Sequence, residues 1–515
     1  MTELETAAHP QGLRRVAIDP LSRVEGHGKV TLLLDEHNRV QQARLHIVEF
    51  RGFEAFICGR PYWEVPVMVQ RLCGICPVSH HLAASKAIDH ALGVQAPPAA
   101  LALRRLMHHG QILQSHALHF FHLSSPDLLF GFASEVGRRN IVGVAAAHPE
   151  VARQGVLLRK FGQQVIEATA GKRVHGTGSV PGGVNRRPTR EERAALAAQL
   201  PQVLDWCEAA VDLAQRLHDS DPVRHRGFAL LQSSWMSLVD ADGAMDLYDG
   251  RLRVCGADGA PQVQGHDVQD YATLIEEEVK SWSWMKFPYL RALGPDQGWY
   301  RVGPLARLQA VRRIGTPRAE ARRQAFVAGG PVQGSLAYHR ARMIEMLHAA
   351  EVIAALLADP RLDDEALRAE PMAAAPPGPR RGVGAIEAPR GTLIHDYTIG
   401  DDDLVTQCNL IVSTTHNNQA MNEAVRAVAR EYFDGREVSE GLLNHIEVAI
   451  RAYDPCLSCA THALGCMPLE VSLLDARGHA LGSVWRHGDG RFEAMAPIAA
   501  IQGIEAGVPP AAPAG

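Results

Sequence analysis

Arg71-Leu-Cys-Gly-Ile-Cys-Pro-Val-Ser-His80 and Asp454-Pro-Cys-Leu-Ser-Cys-Ala-Thr-His462 are the stretches that decide how this chain is organised. Each contains a Cys-x-x-Cys pair, Cys73 with Cys76 and Cys456 with Cys459. Four thiolates in two close pairs are a soft ligand set that suits a transition metal. Because the pairs lie near opposite ends of 515 residues, the fold must bring them together. The chain is therefore expected to be one large protein built around a metal site.

The composition is that of an ordinary globular protein, with 46% hydrophobic and 21% charged residues and a formal net charge of −5. The chain has no long basic run, so binding to nucleic acid through phosphate contacts is not expected. No apolar run approaches the roughly 18 to 20 residues that span a bilayer, and the N-terminus has no secretory pattern. Nine widely spaced cysteines do not indicate a disulfide framework. The expected compartment is the cytoplasm, although an exported complex can carry its signal on another subunit.

Hydrophobic periodicity predicts a mainly α-helical chain with a smaller β part, an α+β fold. Alternating residues within 15–50 predict strands at 29–34 and 43–48. Three- and four-residue spacing predicts a helix between Cys76 and Gly93 and helices over 100–123, 191–218, 266–281, 334–358 and 418–433. Glycine and proline predict an ordered loop at 171–190 and a surface linker at 372–384. Residues 1–462 are expected to form a single domain, β-rich over about 15–60 and helical in the remainder.

The spacing of the cysteines is compatible with two kinds of metal site. Zinc ribbons usually place their two pairs within about 20 residues of each other, whereas these pairs are far apart. Each pair is also followed by a histidine, His80 or His462. Spacing alone leaves a catalytic redox metal and structural zinc open.

The flanking residues complete four motifs that occur in a definite order. They are Leu21-Ser-Arg-Val-Glu-Gly-His-Gly28, Arg71-Leu-Cys-Gly-Ile-Cys76 with His80, Glu387-Ala-Pro-Arg-Gly391, and Asp454-Pro-Cys-Leu-Ser-Cys459 with His462. Together they resemble the large, catalytic subunit of nickel–iron hydrogenases, and the resemblance covers nearly the whole chain. Residues 79–89 and 459–465 are most similar to the soluble, bidirectional NAD-reducing branch. The resemblance implies a large helical hydrogenase fold and the interconversion of hydrogen with protons and electrons.

The resemblance also implies how metals are bound. All four cysteines would hold nickel, with Cys73 and Cys456 as terminal ligands. Cys76 and Cys459 would in addition bridge to an iron that carries cyanide and carbon monoxide ligands. Nickel accepts soft thiolates of this kind.

Three residues are implied in handling the proton that hydrogen cleavage releases. Arg390 matches the arginine whose guanidine lies over the open metal position, and Asp454 is expected to orient it. Glu25 matches the carboxylate that relays protons away, and a terminal thiolate can take the proton first. From the residues alone, Arg390 is also compatible with a surface turn and Glu25 with an exposed loop.

The resemblance implies that three further residues lie next to the cysteine ligands or the diatomic ligands. His80 lies one helical turn past Cys76 and matches the histidine that hydrogen-bonds a bridging cysteine. Thr414 and Asn417 match residues near the diatomic ligands. The alternatives are an ordinary residue at the start of a helix for His80 and a strand end for Thr414 and Asn417.

A second, hard-cation site is implied by Glu54, the carbonyl of Leu410 and His462. Magnesium is the usual occupant, and a carboxylate, an imidazole, a carbonyl and waters suit an octahedral ion. The alternative is an unrelated surface carboxylate and helix histidine.

The resemblance also implies maturation, because the family chain is cut after its terminal histidine or arginine. His462–Ala463 would be the scissile bond, so a C-terminal endopeptidase and a maturation chaperone are expected partners. Residues 463–515 would be removed, although strand-like stretches at 469–474 and 480–485 predict a small β element there.

The helix predicted over 100–123 is rich in histidine, but we favour buried histidines over a metal site. These residues are His108, His109, His116, His119 and His122. Many relatives have an aspartate directly before the histidine that matches His116, and here that position is Ser115. Arg390 is therefore expected to be oriented by Asp454 alone. The remaining cysteines Cys58, Cys207, Cys255 and Cys408 are interpreted as buried small hydrophobic residues.

The chain has no Gly-x-Gly-x-x-Gly after a strand and no further cysteine cluster for iron–sulfur ligation. NAD, flavin and iron–sulfur clusters would therefore lie on partner subunits, namely diaphorase subunits and an iron–sulfur small subunit. Two other functions remain open. A quinone-site subunit of a respiratory-type complex predicts loss of the four cysteines, which are present. A structural zinc protein needs neither Arg390, Glu25 nor a removable C-terminus.

Overall fold

The computed structural model describes residues 4–369 and 378–461, and beyond them the backbone of three strands near the C-terminus. The helices of seven residues or more in the described part are Pro77–Ala91, Pro98–Leu118, Ile141–Ala147, Pro149–Ala170, Arg190–Ser220, Pro304–Ala310, Pro317–Val327, Ala337–Leu357, Asn418–Val428 and Glu440–Ala452. Shorter helices are Phe53–Ile57, Val65–Met68, Ser125–Phe130, Pro222–Gly227, Tyr271–Leu274, Gly294–Gln297 and Ser413–His416. Within these described residues, no helix combines the length and apolar character needed to cross a membrane.

Strands form several small sheets. The N-terminal sheet is an antiparallel meander of Arg14–Ile18, Gly28–Leu34 and Val40–Ile47. A four-stranded sheet has the order Tyr300–Arg301, Ser234–Val239, Arg251–Cys255 and Pro261–His266, in which only the first pair is parallel. A second meander consists of Arg380–Ala388, Gly391–Ile399 and Val405–Ile411. Two-stranded ladders join Ile275–Glu278 to Phe287–Leu290 and Ser179–Val180 to Gly183–Val184. The C-terminal sheet contains Leu469–Leu474, Ala480–Arg486 and Phe492–Met495.

The Pro77–Ala91 helix packs directly on the Arg380–Ala388 strand, and two glycines allow this close approach. A Cβ on Gly384 would lie 2.1 Å from the carbonyl oxygen of Ala83, and a Cβ on Gly382 would lie 2.1 Å from that of Ala87. Because the obstructing atoms are backbone, no side-chain movement could relieve the contact. This packing places the turn at Pro389-Arg390 next to the start of the cysteine-bearing helix.

Several predicted elements are confirmed. The helices predicted after Cys76 and over 100–123, 191–218, 334–358 and 418–433 are present, with ends that differ by a few residues. The last turns of two of them are π-helical, His119–Ser124 and Ala429–Phe433. The N-terminal strands and the small C-terminal β element are also present.

Two predictions are corrected. Residues 266–281 are not a helix, because Ile275–Glu278 pairs in register with Phe287–Leu290 and this pairing overrides local helix propensity. Strands are also not confined to residues 15–60, since 234–266 and 380–411 form sheets. The predicted linker at 372–384 is part of this error. Residues 372–377 lie outside the described part, but Arg380–Ala388 is a strand with its glycines buried against a helix.

The cysteines outside the two pairs are only partly as expected. Cys207 and Cys255 are buried, whereas Cys58 is exposed and Cys408 is half-buried.

Candidate metal centre

The two cysteine pairs meet in the interior. The Sγ atoms of Cys73, Cys76, Cys456 and Cys459 all lie within 4.8 Å of one another, and all four residues are buried free thiols. The Sγ–Sγ distance is 3.1 Å between Cys73 and Cys456 and 3.7 Å between Cys76 and Cys459. We call these four side chains the cysteine cage. Residues separated by 383 positions thus form one ligand set, as the sequence predicted.

The local backbone positions the sulfurs of the first pair, Cys73 and Cys76. Cys76 immediately precedes the Pro77–Ala91 helix, and Pro77 at the first helical position is compatible with that start because it needs no intrahelical donor. The Sγ of Cys73 accepts hydrogen bonds from the N–H groups of Ile75 and Cys76, at 3.1 and 3.4 Å. Burial raises the pKa of Cys73, but the neighbouring cysteine thiols and the Arg390 charge more than offset it, so the pKa lies well below its ordinary value. A thiolate at this position is the form that binds metal.

Arg390 and Asp454 form the predicted pair. Arg390 donates from Nε to the Asp454 carbonyl and from Nη2 to Asp454 Oδ1 at 3.1 Å. Burial opposes the guanidinium charge, but Asp454 and the cage cysteines raise the pKa of Arg390 well above its ordinary value. Nη1 of Arg390 has no hydrogen-bond partner among the described residues, and neither has Ser115 Oγ. Asp454 is therefore the carboxylate that pairs with Arg390, and its orienting role stays a prediction.

Glu25 contacts the cage directly. Its Oε2 accepts hydrogen bonds from Cys456 Sγ at 2.9 Å and from the Ser458 N–H at 3.2 Å, and its Oε1 accepts one from the Ser458 hydroxyl. The loop can approach this closely because Gly26 has φ +82° and a Cβ there would lie 2.5 Å from Ser458 N. Burial and nearby Cys73 raise the pKa of Glu25, although the hydrogen bonds oppose this shift. Glu25 is thus not an exposed loop carboxylate.

A small cavity lies beside the cage and is lined partly by Arg390, Ser79, His80 and Thr414. Thr414 Oγ1 accepts a hydrogen bond from the Cys456 N–H at 3.0 Å, so it also holds the ligand loop in place. Ser79 Oγ and Arg390 Nη1 are buried donors that have no partner among the described residues. Sequence reasoning missed Ser79, although its position one helical turn after Cys76 was a usable signal.

His80 and Asn417 differ in their relation to the cavity. His80 lines it, and its Nδ1 lies 3.1 Å from His395 Nε2. Asn417 does not line it, because its Oδ1 accepts from the N–H of Val302 at 2.9 Å and its side chain supports that backbone. Asn417 therefore supports the backbone at Val302, and its place near the diatomic ligands stays a prediction.

The predicted hard-cation ligands are partly described. Glu54 Oε1 accepts a hydrogen bond from the Leu410 N–H at 2.9 Å, so these two residues meet. His462 lies outside the described residues, but the preceding Thr461 carbonyl accepts from the Arg51 N–H at 2.9 Å. The ammonium group of Lys286 lies 3.5 Å from Glu54 Oε1. The chain before His462 is therefore tied to the loop that leads to Glu54.

The histidines on the Pro98–Leu118 helix and its π-helical extension are structural groups, and all are buried except His122, which is half-buried. His108 bonds the Glu387 carbonyl at 3.0 Å, His116 bonds Glu345 at 2.8 Å and His119 bonds the Arg451 carbonyl at 2.7 Å. Burial lowers the pKa of His108 to about 3 and that of His116 to about 4, so both are neutral near pH 7. In the described part of the chain they do not join a metal-ligand cluster.

Comparison with known proteins identifies the family. The sequence profile described as nickel-dependent hydrogenase matches residues 51–130 and 247–462, and one described as HoxL-like matches residues 15–50. The chain belongs to the nickel-dependent hydrogenase family. This confirms the family, the fold class and the hydrogenase activity that the four motifs predicted.

The most informative relatives align with this hydrogenase over most of their length. The beta subunit of the NAD-reducing hydrogenase HoxS from Cupriavidus necator is 46% identical over 481 residues, covering 90% of this chain and 98% of the relative. One subunit of the F420-non-reducing hydrogenase vhu from Methanocaldococcus jannaschii is 41% identical over 421 residues, covering 81% of this chain and 99% of the relative. A crystal structure of an NAD+-reducing NiFe hydrogenase in the H2-reduced state is 59% identical, with a TM-score of 0.85, and covers 87% of this chain and 99% of that one.

The geometry of the hydrogenase cage fits nickel. Four buried sulfurs can bind a soft ion. The adjoining cavity, where Ser79 and Arg390 each have a donor without a partner among residues 4–369 and 378–461, has no counterpart in a closed structural zinc site. The quinone-site alternative, which predicted loss of the cysteines, is not supported either.

Proposed function

We propose that this chain is the catalytic subunit of an NAD-linked hydrogenase that interconverts hydrogen with protons and electrons. One observation carries the proposal: a four-thiol cage has a carboxylate bonded to one sulfur and an arginine beside an adjoining cavity. Such a site combines metal ligands, a proton acceptor and a fixed positive charge. These are the parts that heterolytic cleavage of hydrogen requires.

Cys73, Cys76, Cys456 and Cys459 would hold nickel, and Cys76 and Cys459 would also hold the iron with its cyanide and carbon monoxide ligands. When bound, this group supplies the redox-active site of the reaction. Ser79 and Arg390 line the cavity and each has a donor that no other described residue binds, which suits anionic ligands such as cyanide. Thr414 fixes the backbone of Cys456, and His80 borders the same cavity.

The chain's own residues provide a route for the proton. Cys456 Sγ and Glu25 Oε2 are 2.9 Å apart, which is within range for direct proton transfer from thiol to carboxylate. Glu25 is also bonded to Ser458, so its orientation is fixed by the loop that carries the ligands. Asp454 holds Arg390 in one orientation, and the guanidinium charge stabilises negative charge in the cavity.

Electrons would leave through an iron–sulfur small subunit to diaphorase subunits that carry flavin and bind NAD. The identity to the NAD-reducing HoxS subunit supports this acceptor. NAD as the acceptor also favours a cytoplasmic location.

Maturation and the second cation complete the proposal. Magnesium would be held by Glu54, the Leu410 carbonyl and His462, a set supported by the contact between Glu54 and Leu410. A chaperone would assist metal insertion, and an endopeptidase would cut His462–Ala463.

The test is elemental analysis and intact-mass measurement of the chain purified with co-expressed partners, together with hydrogen-dependent NAD reduction. We expect nickel, iron, a chain that ends at His462, and activity. Zinc in place of nickel, in a chain cut at His462, would contradict the proposal. A full-length chain with zinc would call for nickel-supplemented expression, and a continued absence of nickel there would also contradict it.

A further inference from the structure

The backbone that carries Arg390 is held by a second buried arginine. Arg390 lies in the two-residue turn between the Arg380–Ala388 and Gly391–Ile399 strands, where Ala388 pairs with Gly391. Such a turn has few backbone bonds of its own to fix the direction of its side chains. The carbonyls of Ala388 and Pro389, the two residues before Arg390, both accept hydrogen bonds from Arg307, at 3.0 and 3.2 Å.

Arg307 has all five of its donors engaged. Besides the two carbonyls, Nε and Nη2 each bond Glu345 at 2.5 Å, and Nη1 bonds Glu387 at 2.6 Å. A guanidinium offers five N–H donors in a rigid plane, so a fully bonded one has a single orientation. The side chains of Arg307, Glu345 and Glu387 are completely buried.

The two carboxylates are fixed in turn by other elements. Glu345, on the Ala337–Leu357 helix, is bonded by His116 at 2.8 Å. Glu387 accepts from the Leu238 N–H at 2.8 Å and from the Thr392 hydroxyl at 2.7 Å. Helices and strands from distant parts of the chain therefore contact the Arg307 guanidinium, which in turn binds the backbone of the Arg390 turn.

We propose that Arg307 is a positioning residue for hydrogen cleavage, which sets the place of the Arg390 guanidinium over the cysteine cage by binding the carbonyls of Ala388 and Pro389. The inference rests on the proposed function of Arg390. It follows from the way Arg390 is held. Among the described residues its side chain bonds Asp454, and Nη1 has no partner there, so much of its placement must come from the backbone. Arg307 does not line the cavity and so acts only through the turn.

The test is Arg307→Lys in the complex with its partner subunits. Lysine keeps the charge but cannot bond two carboxylates and two carbonyls in one plane. We expect nickel and iron contents to stay unchanged while hydrogen-dependent turnover falls about 10- to 100-fold, because small displacements at a reacting centre have effects of that size. The infrared bands of cyanide and carbon monoxide should shift, since they report the donors around these ligands. The crystal structure of the variant should show Arg390 displaced from Asp454.

Arg104→Lys is the matched control. Arg104 is equally buried and bonds Asp89 and the carbonyls of Val180 and Gly183, but it does not line the cavity. It should lose thermal stability yet keep turnover within about two-fold and the infrared bands unshifted.

Three outcomes overturn the inference. The first is an Arg307→Lys variant with unshifted bands and Arg390 still bonded to Asp454. The second is equal losses of turnover in both lysine variants. If Arg307→Lys does not fold, Glu345→Gln is measured in its place. The third outcome is a Glu345→Gln variant with unchanged turnover and unshifted infrared bands. A complex of the unchanged chain that binds no nickel would instead overturn the proposed function. The two failures can be told apart, because the position of Arg390 in a crystal structure can be determined without bound metal and without activity.

Discussion

At the scale of single residues, the site depends on buried polar atoms that have no hydrogen-bond partner in the part of the chain that the structure describes. Arg390 Nη1 and Ser79 Oγ are donors next to a cavity, and each would be destabilising in an ordinary core. Their retention is consistent with a bound group that accepts hydrogen bonds. Asp454 stabilises the Arg390 charge and leaves one edge of the guanidinium available.

Arg390→Lys should leave the metals bound but remove most of the activity. A flexible ammonium cannot reproduce a planar guanidinium held at two points, and loss of one preorganised donor commonly costs about 100- to 1,000-fold in turnover. The measurement is hydrogen-dependent dye reduction with nickel content determined on the same sample. Arg381→Lys, an exposed arginine on the preceding strand that pairs with Asp396, is the control. Full activity in Arg390→Lys would refute the role assigned to that residue.

The sequence predicted the residues that lie at the cage better than the buried residues that support them. Glu25, Arg390 and Asp454 lie within short motifs with characteristic order, and the structure brings all three to the cage. Arg307 and Glu345 lie in ordinary helical sequence, and their burial arises only from tertiary packing. No local pattern distinguishes them from surface ion pairs.

At the scale of secondary structure, the contact between the Pro77–Ala91 helix and the Arg380–Ala388 strand positions both the first cysteine pair and the Arg390 turn. Both elements present small residues at the contact. The sequence showed this helix by its periodicity. It did not show the strand, because Arg380–Gly384 resembles a turn cluster until its glycines are seen against the helix backbone. The false helix at 266–281 has the same origin, since strand pairing is decided by a distant partner.

Gly384→Ala should destabilise the protein through this contact. The added Cβ would lie 2.1 Å from the Ala83 carbonyl oxygen and 2.5 Å from the Ala87 nitrogen, so helix and strand must separate. Overpacking of this kind typically costs about 1–3 kcal/mol of unfolding free energy. Thermal or denaturant unfolding measures the loss. Gly315→Ala, whose Cβ would meet nothing within 4 Å, should be nearly neutral. Equal stability of the two variants would show that the helix can shift without cost.

At the scale of the whole molecule, the cage joins parts of the chain that no local element connects. Cys73 and Cys456 are 383 positions apart, yet Glu25 near the N-terminus bonds Cys456 and its carbonyl accepts from the Leu457 N–H at 2.9 Å. The sequence predicted this closure because a shared metal demanded it. The sequence did not predict the sheets through which the intervening chain passes, because periodicity does not show which strands pair.

Cys459→Ser should abolish metal binding while the chain still folds. A hydroxyl is a poor ligand for a soft ion, so the variant should retain no nickel and show no hydrogen-dependent dye reduction. Because a ligand that binds only the folded state stabilises it, the complex should also lose the rise in melting temperature that nickel gives the unchanged chain. Cys207→Ser is the matched control, since that buried thiol lies outside the cage and its loss should affect stability alone. Wild-type turnover in Cys459→Ser would refute its assignment as a bridging ligand, and nickel loss in Cys207→Ser would mean that general destabilisation, not ligation, controls metal retention.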